Sequence, residues 1–240
     1  MTLLILGGTG EARRIAERLQ GADAIMSLAG ATRTPEQQAL PTRIGGFGGA
    51  EGFAAFLKDK EISAVLDATH PYAHRITART AKICAEKGIP YLQFLRPGWD
   101  KEPGDNWTEI ATEEEAATHI APGAVVFLGT GRQTLDRFAN LVGREVICRQ
   151  IDPPTKPFPF PGGRYLVGRP PFSVEDEVAL FRQLGVDWLV VKNAGGAASR
   201  TKLTAARMLG IPVLMLARPQ QGAWPRVETV DAALDWVKAL

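Results

Sequence analysis

Short apolar runs alternate along the chain with segments whose apolar positions recur every three or four residues. Leu3-Leu4-Ile5-Leu6 has no polar alternation, the pattern of a strand buried on both faces. Ala12, Ile15, Ala16 and Leu19 then follow at i, i+3, i+4 and i+7, one face of a helix. Strands are expected over 24–28 and, more briefly, 42–44. The segment 51–58 reads as a helix with Phe53, Phe56 and Leu57 on one side. A buried strand over 64–68 leads to a helix over 73–87, which stops at Gly88, and a further strand starts at Ile89. This βαβα order predicts a parallel sheet with helices on both faces.

The pattern then breaks. Pro97 to Asn106 is rich in turn formers, and a linker or crossover is expected there. Alternation resumes with strands over 124–128, 145–149, 188–191 and 212–216. Helices are expected over 134–141, 175–184, 201–209 and 231–239. Seven prolines between 153 and 171 make most of that stretch loop. Two α/β lobes are expected, one over residues 1–110 and one over 111–240.

Composition adds bounds. The chain has 240 residues, 45% of them hydrophobic and 22% charged, which excludes a disordered polyelectrolyte. Two cysteines, Cys84 and Cys148, cannot build a disulfide scaffold. No apolar run approaches the roughly 20 residues that span a bilayer. The first residues have no basic segment, so no signal peptide is expected and the cytoplasm is the expected location. Charge is uneven between halves: 13 Lys+Arg face 16 Asp+Glu in residues 1–120, and 15 face 10 in residues 121–240. Such an excess suits either an ordinary solvated surface or a binding surface for a polyanion. Nucleic acid is not expected, because no recognised motif and no interleaved aromatic platform is present.

Gly7-Gly8-Thr9-Gly10-Glu11-Ala12 joins the first strand to the first helix. Glycine lets the backbone approach a pyrophosphate, and the helix N-terminus supplies N–H groups and a positive dipole end. Arg13 stands where a full G-x-G-x-x-G has its third glycine. The context points to a Rossmann-like lobe. No acid occurs between Asp23 and Glu36 to hold a ribose 2′-hydroxyl. Ser27 and Arg33 suit a 2′-phosphate, which favours NADP(H) over NAD(H). Gly46, in a glycine-rich loop after the third strand, could also approach the cofactor or simply form a surface turn.

Thr69, His70 and Tyr72 follow a buried strand, where α/β sheets bind ligands. His70 could orient substrate, transfer a proton or serve only as a structural hydrogen-bonding residue. In the second half, Gly129-Thr130-Gly131-Arg132 could bind an anion. Lys192, Asn193, Gly195, Gly196, Arg200 and Lys202 lie around a helix start. Cations are unfavourable there unless an anion joins them. No Tyr-x-x-x-Lys, no Gly-x-Ser-x-Gly and no His/Cys cluster with metal-ligand spacing is present, so no metal is expected.

With these motifs assembled, the chain resembles the precorrin-6A reductase family of cobalamin biosynthesis from end to end. The resemblance rests on Leu-Gly-Gly-Thr-Gly-Glu-Ala-Arg (6–13), Asp-Ala-Thr-His-Pro-Tyr-Ala (67–73), Gly-Thr-Gly-Arg (129–132) and Lys-Asn-Ala-Gly-Gly with Thr-Lys-Leu-x-Ala-Ala-Arg (192–207). It implies NADPH-dependent reduction of one double bond of precorrin-6A to give precorrin-6B. A related branch acts on the cobalt-containing analogue. The resemblance implies a nicotinamide near Thr69–Tyr72 in a cleft between two Rossmann-like lobes. Substrate carboxylates would meet Arg132, Lys192, Arg200 or Lys202, in a monomer or small homo-oligomer. Lys202 is the first candidate for proton donor, His70 the second, with water as a third source. Two other readings of the residues remain: a non-catalytic NADP(H) sensor, and a reductase of a smaller acidic substrate.

Overall fold

Two six-stranded sheets, parallel throughout, organise the chain. The structure is a computed structural model and describes residues 2–30 and 38–240. The chain begins with β1 (Thr2–Leu6), α1 (Gly10–Arg18), β2 (Ala24–Leu28), β3 (Thr42–Ile44), α2 (Gly49–Asp59), β4 (Ile62–Asp67), α3 (His74–Lys87) and β5 (Tyr91–Phe94). It continues with β6 (Trp107–Ile110), α4 (Ala116–His119), β7 (Val125–Leu128), a 3₁₀ segment (Arg132–Leu141), β8 (Glu145–Gln150) and β9 (Gly163–Val167). Then come α5 (Val174–Leu184), β10 (Trp188–Lys192), α6 (Thr201–Leu209), β11 (Val213–Leu216), β12 (Arg226–Val227) and α7 (Val230–Lys238). Among the described residues no helix is long and apolar enough to cross a membrane.

The first sheet runs β3-β2-β1-β4-β5-β12 and the second β9-β8-β7-β10-β11-β6. Each has the doubly wound order 3-2-1-4-5-6, with one exchange. The strand that follows the first five in the chain, β6, pairs with β11 of the second sheet. The strand that follows the second set, β12, pairs with β5 of the first. The compact units are therefore 1–97 with 219–240, and 98–218. A single cut near residue 110 does not divide the chain: it would leave β6 with the wrong sheet and strip the first sheet of its last strand.

The cores follow from strand geometry. Side chains alternate across a strand, so Leu3 and Ile5 of β1 face Ile15 and Ala16 of α1 and Leu234 of α7. Leu4 and Leu6 face the other way, toward Phe53 and Leu57 of α2 and Ile83 of α3. In the second unit Phe127, Ile147, Leu189 and Val213 pack against Phe181 of α5 and Leu203 and Ala206 of α6. Three strands have no counterpart among the expected elements. β6, β9 and β12 are outer strands, short and carrying polar or exposed positions, so none shows an apolar run. The expected helix over 134–141 is a 3₁₀ segment with Thr134 outside helical geometry.

The same partition changes the charge picture. The unit 98–218 holds 14 basic and 14 acidic residues, because the crossover brings Asp100, Glu102 and Asp105 and the Glu113–Glu115 run with it. The expected basic lobe is thus neutral. Of its basic stretch, Arg137 pairs with Glu113 and Glu114, Arg149 with Glu177, Arg164 with Glu145 and Arg169 with Asp152. Arg144 donates to the carbonyls of Ala117 and Ile120.

Candidate active site

In the first sheet the strand order reverses between β1 and β4, and the loops after both strands meet. Thr9 caps α1, its hydroxyl accepting from the Ala12 amide at 3.1 Å and donating to the Ala68 carbonyl at 2.9 Å. One side chain thus ties the glycine loop to the Thr69–Tyr72 loop. Gly7 is closed in, since a Cβ there would lie 2.4 Å from Met26 Sδ. Gly8 (φ +116°) and Gly10 face open space, with nothing within 4 Å of a Cβ at either. An open glycine face at the N-terminus of α1 fits a pyrophosphate. The Glu11 carboxylate does not oppose that anion, because Arg96 (2.8 Å) and Arg14 (3.2 Å) hold it. Arg96 follows β5, and nothing in its local sequence ties it to the glycine loop.

Of the expected 2′-phosphate pair, Ser27 lies in β2. Arg33 lies outside the described residues. Ser27 is buried, and its hydroxyl accepts from Arg43 Nη1 at 2.8 Å. Arg43 also donates to the carbonyls of Gly45 (2.9 Å) and Gly46 (3.0 Å) and lies 4.0 Å above the Phe47 ring. It therefore fixes the glycine-rich loop and brings a guanidinium to the carboxyl end of β2. Gly46 gives its carbonyl to Arg43, and a Cβ there would meet nothing within 4 Å.

Asp67, at the end of β4, is 1% exposed. Its carboxylate accepts from the Thr69 amide (3.1 Å), the Thr69 hydroxyl (2.7 Å) and the Tyr91 hydroxyl (3.0 Å). Burial and this neighbouring charge push the Tyr91 hydroxyl well above its ordinary value, so it stays a donor. The hub sets the turn that follows. His70 Nδ1 accepts from the Tyr72 amide at 3.3 Å, so neutral His70 carries its proton on Nε2. Asp67→Ala would leave buried donors without their acceptor. Such a change is expected to cost about 2–3 kcal/mol in urea unfolding; a loss below about 0.5 kcal/mol would contradict the hub.

The second sheet repeats the arrangement at β7 and β10. A Cβ on Gly129 would lie 3.1 Å from Val191 Cγ1 and 3.5 Å from Lys202 Cδ, so glycine makes room for the Lys202 stem. Lys202 Nζ donates to the Ser199 carbonyl at 2.7 Å. Burial pushes its ammonium down to about 8; the Arg149 charge acts the same way and the Glu177 charge opposes it. Lys192 is half-buried and also lowered, chiefly by burial. Arg132 is exposed at the start of the 3₁₀ segment.

Three expected substrate residues are engaged elsewhere. The Asn193 side chain accepts from the Trp99 amide (2.7 Å) and donates to its carbonyl (3.1 Å). The Gly196 carbonyl accepts from Trp99 Nε1 at 2.9 Å, beside the buried, positive-φ Gly195. Arg200 pairs with Glu102 at 2.6 Å, and Arg207 shares the same carboxylate at 2.5 Å. These residues anchor the start of the crossover to its own unit.

Two doubly wound parallel sheets, each with a glycine-bearing loop at its switch point, define a Rossmann-like α/β protein. The chain belongs to the precorrin-6x reductase family, whose model, described as Precorrin-6x reductase CbiJ/CobK, matches residues 2–238. It is 44% identical to the precorrin-6A reductase of Rhodococcus erythropolis, over 99% of this chain and 98% of that protein. It is 29% identical to the cobalt-precorrin-6A reductase of Priestia megaterium, over 91% of each. A solved structure titled CobK precorrin-6A reductase superposes with a TM-score of 0.94 at 39% identity, covering 100% of this chain and 96% of that one.

Proposed function

We propose that the chain reduces one double bond of precorrin-6A with NADPH, giving precorrin-6B. The carrying observation is the end-to-end likeness to precorrin-6A reductases at 40–44% identity, against 27–29% for relatives named for the cobalt-containing substrate. When bound, reduced nicotinamide supplies the hydride. The loop Gly7 to Ala12 holds the pyrophosphate, through the amides from Gly8 to Glu11. Arg43, and Arg33 beyond the described residues, take the 2′-phosphate with Ser27. Thr69, His70 and Tyr72 border the nicotinamide. In the second unit Arg132 and Lys192 meet substrate carboxylates.

Lys202 gives a proton to the macrocycle carbon next to the one that takes the hydride. It is left as an amine and recovers a proton from water. An ammonium near 8 is still mostly charged at neutral pH yet far more acidic than an ordinary lysine. His70 is the second candidate for this step.

The test mixes purified protein with precorrin-6A and NADPH and follows nicotinamide absorbance with the macrocycle spectrum. Coupled loss and shift support the reading. NADPH binding without turnover would make the protein a sensor, and turnover only of the cobalt form would move it to the other branch. Arg43→Ala is expected to raise KM for NADPH roughly 10–100-fold while changing KM for NADH little, as for loss of a charge-assisted phosphate contact. Equal changes for both would remove Arg43 from the 2′-phosphate.

A further inference from the structure

Arg149 and Glu177 form a buried pair that the proposed reaction does not itself use. Arg149 lies near the end of β8 and Glu177 in the first turns of α5. Two hydrogen bonds join them, at 2.8 and 2.6 Å. The side chains are 9% and 1% exposed. The guanidinium carbon lies over two rings, 5.1 Å from the centre of Phe127 and 4.2 Å from that of Phe172. Phe127 and Gly129 stand two residues apart on and just after β7, so they present the same face of the sheet. The Lys202 stem lies on Gly129. A buried acid, a buried guanidinium and a buried ammonium thus gather at one end of β7, and the fields of the first two reach the third.

The acid could neutralise either cation. Its two oxygens are committed to Arg149, in the bidentate geometry that a guanidinium offers and an ammonium does not. We propose that Arg149 is a positioning residue for the reduction: by holding the Glu177 carboxylate it keeps that carboxylate from Lys202 and leaves the buried ammonium able to give up its proton. The inference rests on Lys202 being the proton donor.

Among the described residues, Arg149 and Glu177 are the charges that act on Lys202. Just after β7 its stem lies beside Gly129. Arg200, just before its helix, and Arg207, within it, are paired with Glu102. Lys192, at the end of β10, answers instead to Glu113, Arg137 and Cys148.

An acid catalyst loses activity as pH rises through its own ionisation. In Arg149→Met the freed Glu177 carboxylate turns on Lys202 and strengthens its hold on the proton. The basic limb of kcat is then expected to move up by about one pH unit or more. The neutral-pH rate should fall at least several-fold. In Glu177→Gln the unpaired guanidinium faces Lys202, and the limb is expected to move down. The double variant Arg149→Met/Glu177→Gln removes both charges without leaving either buried alone, so it keeps the fold where a single variant fails. Because Arg149 weighs more on Lys202 than Glu177 does, its limb should move up, by less than in Arg149→Met. Arg149→Lys, which keeps the charge but not the two-pronged grip, is expected to fall between wild type and Arg149→Met.

The experiment is the kcat–pH profile of the full chain with NADPH and precorrin-6A, alongside the KM of each. A purely structural pair would lower the amount of folded enzyme and leave the limb in place; an unmoved limb in the double variant overturns the proposal. Lys202→Met separates the two ideas. If the limb persists without Lys202, the proton-donor assignment fails. If it vanishes there but stands still in the Arg149 variants, only the role of Arg149 fails.

Discussion

Glu177→Ala is expected to cost about 3–5 kcal/mol of folding stability, measured by urea unfolding of the full chain. The reason lies in what the variant leaves behind. The Arg149 guanidinium is enclosed by two rings and its partner carboxylate, and it cannot shed its charge. Removing the carboxylate strands a desolvated cation, whose penalty far exceeds the net worth of an exposed pair. Domains of this size are stable by only about 5–15 kcal/mol, so the loss is large. Exposed pairs supply the control. Lys238–Asp235, on the surface of α7, should change stability by less than about 1 kcal/mol when either side chain is removed. Equal losses at the two sites would show that the Arg149–Glu177 pair is not buried in solution.

Lys202→Met is expected to act in opposite directions on rate and stability. The turnover rate should fall by roughly 10²–10⁴, the usual contribution of a positioned acid, with little change in KM for NADPH. Stability should rise at neutral pH. The folded protein holds the Lys202 proton less tightly than the unfolded chain, since burial takes the group from 10.5 to about 8. Between those values the unfolded state binds more protons, so wild-type stability climbs as pH rises through that window. Below it the whole penalty is present, on the order of 3 kcal/mol. The methionine variant should therefore melt higher at pH 7 and lose the rise between pH 8 and 10. A variant both slower and less stable would mean that Lys202 holds the fold together.

Much of this was legible in the chain. Strands such as Leu3–Leu6 and Val213–Leu216 are buried on both faces, and such strands announce themselves as unbroken apolar runs. The loops at Gly7–Gly10 and Asp67–Tyr72 could be placed because each directly follows such a run. What could not be read depends on pairings distant in sequence. Arg43 reaches Ser27 across sixteen residues, Arg96 reaches Glu11 across 85, and Asn193 clamps Trp99 across 94. No local pattern distinguishes a guanidinium that meets a ligand from one that Glu102 already holds. The charge excess of residues 121–240 was real as a count, yet it described no physical body, because the folded units are cut elsewhere.

The exchange of β6 and β12 bears on how the molecule is made. A ribosome delivers β1 to β5 well before the strand that closes their sheet, which waits for residues 226–227, more than 130 residues after β5. Until then β5 offers an unpaired edge, and the core between β1 and α1 lacks the side chains that α7 adds, Ala233 and Leu234. The next strand to emerge, β6, pairs elsewhere and leaves that edge open. The N-terminal unit therefore cannot be finished before residues 219–240 have emerged, and their arrival completes both the first sheet and its core. A nascent chain halted after residue 218 would carry its glycine loop on a sheet open at one side, prone to pair with another chain and dependent on chaperones.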